Sequence, residues 1–179
     1  MRPSQIRRTA ETALELLEDR GHGNPEAFLL AWVSWEGLKI RVISLGLARM
    51  GFQVQHVYEV LTEDELRSKG EFEALFQTVF SRKPQSAKGV GSTWQRNETF
   101  RKVRNRIVHG IGSTSPDRLE SGTRVLTGAV LSPQWLGSLA VNDGSGQVSI
   151  GNPFAGMNAR GGRSKEELRE LVIAGRGRA

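Results

Sequence analysis

The stretch NPEAFLLAWVSWEGLKIRVISLGLARMG, residues 24–51, is the most apolar part of the chain, and its reading decides the fold class. Asn24 followed by Pro25 is a strong helix start, because proline at the first helical position has no N–H to leave unsatisfied and its φ is already set. Gly51 stops the run. Between them Phe28, Trp32, Trp35, Val42 and Ile43 recur as one stripe, Leu29, Val33, Ile40 and Leu47 as a second, and Leu38 and Leu45 as a third. A helix apolar on nearly every side is a buried one. The spacing therefore predicts a helix from about Pro25 to Met50, with one stripe in the core and another facing a second copy of the chain. Glu36, Lys39 and Arg41 in its middle argue against a membrane span.

Outward from this helix the chain reads as more helices. Residues 4–20 place Ile6, Ala10, Ala13, Leu14 and Leu17 at helical spacing, with Gly21 and Gly23 after them. FQVQHVYEVLTEDELRSKG (52–70) starts like a short extended segment. Thr62 and Glu65 then form a capping box that would open a short helix. EFEALFQTVFS (71–81) sets Phe72, Leu75, Phe76, Val79 and Phe80 on one side of a helix. RKPQSAKGVGS (82–92) is a basic loop, STWQ opens a long charged helix, and Ser115–Pro116 opens another that runs to about Leu131.

The last stretch changes character. WLGSLAVNDGSGQVSI (135–150) alternates Leu139 and Val141 on one arm and Val148 and Ile150 on the other, around a glycine-rich turn, and predicts a hairpin. GNPFAGMNARGG (151–162) reads as a linker or a loop packed by Phe154 and Met157. Ser164 with Glu167 caps a short final helix with a basic tail. The expected division is a helical domain over 1–131 and a C-terminal hairpin, loop and short basic helix over 132–179.

Composition narrows the function classes. The chain has 179 residues, a formal charge of +6 and no cysteine. An excess of basic residues favours a polyanionic partner, nucleic acid or an acidic protein. Without cysteine there is no disulfide and no thiolate metal site, and a reducing cytoplasm is the expected compartment. Three scattered histidines offer no metal-ligand set, so no metal and no cofactor is expected. Charges interrupt every apolar run near the N-terminus, which does not read as a signal peptide. The four tryptophans, at 32, 35, 94 and 135, are expected in the core or an interface rather than as base-stacking platforms.

The residues that carry chemistry lie in TWQRNETFRKVRNRIVHGI (93–111). At about 100° per residue, Phe100, Val103, Ile107 and Ile111 share one narrow face, which is the expected core face. His109 lies nearly opposite, with Asn105 and Lys102 beside it and Arg106 and Arg101 on the flanks. Arg104 sits about 140° from His109, at the edge of the core face. Clustered cations hold phosphate and favour the neutral form of a nearby imidazole. Such an imidazole can take the proton of a ribose 2′-hydroxyl while arginine stabilises charge on the phosphorane. Spacing alone is weak: Arg49 and His56 also fit an R-x6-H pattern, with Gly51 breaking the helix between them. Glu36 is expected to partner a core arginine, and His22, in a glycine-flanked turn, has no expected role.

RNRIVHG (104–110), after an upstream helix rich in tryptophan and aliphatic residues, resembles the HEPN superfamily over roughly residues 5–131. The resemblance implies a mainly α fold, a HEPN-like helical bundle to which the C-terminal hairpin and loop are a small appendage. It implies a metal-independent endoribonuclease with an R-x4–6-H motif near the end of a late helix, here Arg104, Asn105 and His109 as R-N-x-x-x-H. It further implies a homodimer whose two motifs face each other. The leading expectation is thus a toxin or defence effector that cuts RNA to a 2′,3′-cyclic phosphate, with Arg101, Lys102 and Arg106 on the RNA backbone. An antitoxin or defence-system protein would be a further partner, and no membrane is involved. The alternatives are a non-catalytic module that binds RNA or nucleotide, and a helical adaptor whose charged helix docks an acidic partner.

Overall fold

The structure is a computed structural model and describes residues 2–20, 23–63, 69–87, 91–157 and 161–176. Among them the chain is mainly α, as expected. Its elements in order are α1 (Pro3–Arg20), α2 (Pro25–Arg49), α3 (Val54–Glu63), α4 (Lys69–Phe80), α5 (Gly91–His109), α6 (Pro116–Leu131), β1 (Ala140–Asn142), β2 (Gln147–Ser149) and α7 (Lys165–Arg176). Short 3-10 turns occur at Pro84–Ser86 and Pro133–Ser138. The chain groups into two compact units, residues 1–39 with 89–133, and residues 40–88 with 134–179. The second unit thus joins residues 40–88 to the C-terminal segment. No described helix is long and apolar enough to cross a membrane.

In the first unit, the sequence spacing of α1 buries Ile6, Ala10, Ala13 and Leu17 on one stripe. That stripe packs on α6, which buries Leu119, Leu126, Ala129 and Val130. Asn24 caps α2, its Oδ1 accepting the Glu26 N–H at 2.8 Å. Phe28 meets Phe100 of α5 edge-on, with centroids 6.3 Å apart, and Trp35 meets Trp94 at 5.6 Å. The Trp35 indole N–H donates to Asn97 Oδ1 at 2.9 Å, which satisfies the polar end of a fully buried ring. These pairs run in opposite chain directions, so α2 and α5 lie antiparallel. Gly122 lets α6 close on them, because a Cβ there would lie 2.6 Å from the Phe28 ring.

Glu36 does not partner an arginine. Lys39, one turn on, reaches it at 2.7 Å, and the Lys39 side chain is only 9% exposed. Its ammonium also lies 5.8 Å from the Trp32 ring centroid and 5.7 Å from that of Trp94. A buried ammonium needs a counter-charge, which Glu36 supplies, and the two indole faces add cation–π attraction. Within the first unit Lys39 and Glu36 thereby offset each other.

The second unit is built on α4, whose Phe72, Leu75, Phe76, Val79 and Phe80 are all buried, as their spacing predicts. It packs against α7 and β1. Gly46 of α2 leaves the space that Val79 and Phe80 fill. At α7 the capping box forms: Ser164 Oγ accepts the Glu167 N–H at 3.1 Å, and Glu167 Oε2 accepts the Ser164 N–H at 2.8 Å. The hairpin forms with Val141 opposite Val148. In its turn Asp143 Oδ1 accepts the Ser145 hydroxyl at 2.7 Å and the Ser145 and Gly146 N–H groups.

One segment departs from the sequence reading. The extended start expected after Gly51 is limited to Phe52, which forms an isolated parallel bridge with Arg163. From Val54 the chain is helical, because Val57, Val60 and Leu61 recur at helical spacing and are buried, and the helix packs on α7. Thr62 therefore lies in the last turn of α3 rather than ahead of a helix. Glu65, its expected capping partner, lies outside the described residues, as does His22. The loop 151–157 is held by Arg41, a residue 4% exposed. Its Nε and Nη2 donate to the carbonyls of Pro153 and Ala155 at 2.9 and 2.6 Å, and Nη1 donates to the Tyr58 hydroxyl at 3.0 Å.

Candidate functional site

Helix α5 is positioned by its buried side: Trp94, Asn97, Phe100 and Val103 are all nearly inaccessible and face α2 and α6. Ile107 is half-buried. Ile111 does not continue that face. It lies past the helix end and is 67% exposed. Gly110, at φ +63°, turns the chain out of the helix there. The Ile111 N–H bonds the Arg106 carbonyl at 3.0 Å and the Gly110 N–H bonds the Ile107 carbonyl at 3.3 Å, a Schellman closure. The glycine that follows the histidine in sequence is thus the device that ends the helix, and it leaves His109 on the last regular turn.

The opposite side of α5 is open. His109, Lys102, Arg101 and Arg106 are exposed, and Arg104 and Asn105 are half-buried. Arg104 Nη1 donates to Asn105 Oδ1 at 2.9 Å, so the amide takes part of the guanidinium fork. The helix is regular from Gly91 to His109. No distortion swings Arg104 toward His109, and within one chain the two stay on different sides of the helix. Arg104 is not paired with Glu36, whose carboxylate meets Lys39. Arg49 and His56, the other R-x6-H pair, fall on separate helices, with Gly51 at φ +94° between them.

Charge on this face is uneven. Arg101 is bound by both oxygens of Glu98: Nε donates to Oε2 at 2.9 Å and Nη2 to Oε1 at 2.7 Å. That hydrogen bond, and then the Glu98 charge, raise the Arg101 guanidinium above its ordinary value. Lys102 and Arg106 make no ion pair among the described residues. Glu98 did not figure among the expected site residues. Its signal in the sequence is the i,i+3 spacing to Arg101 and its place about 20° from His109 around the helix. No group of three or more His, Cys, Asp or Glu side chains stands together as metal ligands among the described residues.

No family model matches the chain, and neither a curated protein nor a solved structure matches it.

Proposed function

We propose that the protein is a metal-independent endoribonuclease, a toxin or defence effector, that works through the C-terminal turn of α5. The observation that supports this most directly is the exposed His109 on the last turn of a helix whose Lys102 and Arg106 carry no described counter-charge. In the proposed reaction the His109 imidazole takes the 2′-hydroxyl proton and the 2′-oxygen attacks the adjacent phosphorus. The P–O5′ bond breaks, leaving a 2′,3′-cyclic phosphate and a 5′-hydroxyl whose proton comes from the imidazolium or solvent. Arg104, oriented by Asn105, offsets the charge on the phosphorane, and Lys102 and Arg106 hold the RNA backbone. Arg104 and His109 lie on different sides of one helix. The proposal therefore places the site at a homodimer, with Arg104 of one copy facing His109 of the other.

The same separation on the helix favours a second reading, a non-catalytic module that binds RNA or nucleotide through the basic face. Incubation of the purified protein with mixed RNA in EDTA, beside His109→Ala, tests both. Cleavage by the wild type alone, with cyclic phosphate ends, is the expected result. Salt-sensitive retention without cleavage would leave the binding module. No retention at all would leave a helical adaptor that docks an acidic protein, and would sink both RNA readings.

A further inference from the structure

The exposed side of α5 has an order along its length that composition alone does not show. At about 100° per residue, Glu98, Lys102, Asn105, Arg106 and His109 fall within a sector of about 100°. A polyanion laid along the helix from His109 meets Arg106, then Lys102 about 6 Å further on, and then the Glu98 carboxylate about 16 Å from His109. The next cation, Arg101, is turned onto that carboxylate through two hydrogen bonds of 2.9 and 2.7 Å. The Nε/Nη2 edge, one of the two guanidinium edges that can clasp a phosphate, is already occupied, and a phosphate on the other edge would lie near the same carboxylate charge.

We propose that Glu98 withholds Arg101 from the RNA track and so ends that track at Lys102. The proposal rests on the RNA reading of α5 and adds to it a determinant of footprint and affinity. A lone exposed ion pair gives way easily, but here both carboxylate oxygens are engaged, and a phosphodiester would have to replace two charge-assisted bonds while lying beside the carboxylate it displaced. The track is therefore short, Arg106 and Lys102 with His109 at its end. Glu98 sets the salt dependence of binding without touching the reacting atoms.

The test is a double-mutant cycle on binding alone. A single-stranded RNA oligonucleotide with 2′-O-methyl groups lacks the attacking hydroxyl and is not cut, so its dissociation constant can be followed between low and moderate salt. Glu98→Gln should bind more tightly at low salt, with a log–log salt slope steeper by about 0.7, one additional phosphate contact on a single strand. Arg101→Ala should leave the wild-type slope almost unchanged. The double variant Glu98→Gln/Arg101→Ala should show no gain over Arg101→Ala. Arg101 is exposed and Glu98 is half-buried on the same open side, and circular dichroism should show unchanged helix content. A gain that persists with alanine at 101 would mean that Glu98 acts only as a repelling charge, and would overturn the proposal. So would an Arg101→Ala variant whose slope falls by about 0.7, since Arg101 would then already be on the RNA. A folded wild type that does not retain the oligonucleotide at all would overturn the RNA reading and this proposal with it.

Discussion

His109 and Arg104 face different constraints. His109 is exposed and forms no described hydrogen bond, so its removal should disturb chemistry and little else. His109→Ala is expected to slow cleavage by roughly 10²-fold or more, the usual scale for losing a proton-transfer group, while RNA binding persists. His56→Ala should leave the rate unchanged, because that histidine belongs to α3 and the second unit. If His56 proves essential instead, the motif is misassigned. Arg104 is half-buried and bonded to Asn105, whereas Arg106 is exposed and nearer to His109 around the helix. Single-turnover rates at saturating RNA separate the two. Arg104→Ala is expected to lose rate, and Arg106→Ala to lose affinity with the bound complex still turning over. An Arg104→Ala enzyme that keeps its rate but melts early, beside an Arg106→Ala enzyme that has lost it, would reverse the roles. At this scale the sequence shows which residue types share a helix. It does not show which partner wins each side chain: Glu36 could have met an arginine, and the nearer Lys39 took it.

At the scale of elements the caps were readable and one segment was not. Asn24–Pro25, Ser115–Pro116 and Ser164 with Glu167 all start helices where the sequence places them: the Asn24 and Ser164 side chains accept first-turn N–H groups, while Ser115 makes no side-chain cap bond and Pro116 at the first position sets the start. The start of the stretch 52–61 reads as extended because valine and aromatic residues favour strands, while the spacing of Val57, Val60 and Leu61 is helical and burial against α7 decides between the two. Ser164→Ala removes the hydroxyl that accepts the Glu167 N–H. It should cost about 1 kcal/mol in urea unfolding, and no change in midpoint would mean that the box carries no stability. The hairpin turn should respond to acid. Ser145, through its hydroxyl first and its N–H second, holds the Asp143 carboxyl below its ordinary value. A carboxylate with a lowered folded-state pKa stabilises above its unfolded value and loses that effect as pH falls through the folded one. Amide exchange at Gly144–Gly146 should therefore be steady near neutrality, once corrected for intrinsic rates, and protection should fall in strong acid. The Asp143→Asn variant should not show that acid transition.

For the molecule as a whole, the proposed reaction requires residues on two sides of one helix to meet at one phosphate. Two exposed aliphatic side chains of the first unit would be covered in the proposed dimer: Val33 on α2 is 43% exposed, and Val108 on α5 is 50% exposed beside His109. Leu29 and Leu30 of α2 are half-buried. Isolated exposed aliphatics are ordinary, but here they lie on the two helices that the sequence marks for an interface. If a two-fold axis passes there, each site is built from both chains, and the symmetry makes a prediction that a site within one chain does not. Arg104→Ala and His109→Ala should each be inactive alone. Unfolded together and refolded at equal amounts, they should form mixed dimers as half of the population, each with one intact site. The mixture should then recover about one quarter of the wild-type rate. Light scattering at micromolar concentration should give twice the chain mass. Recovery requires that Arg104 of one chain serve His109 of the other. A mixture that stays inactive while the mass shows a dimer would confine each site to a single chain, and the regular helix between Arg104 and His109 would then speak for the binding module rather than the enzyme.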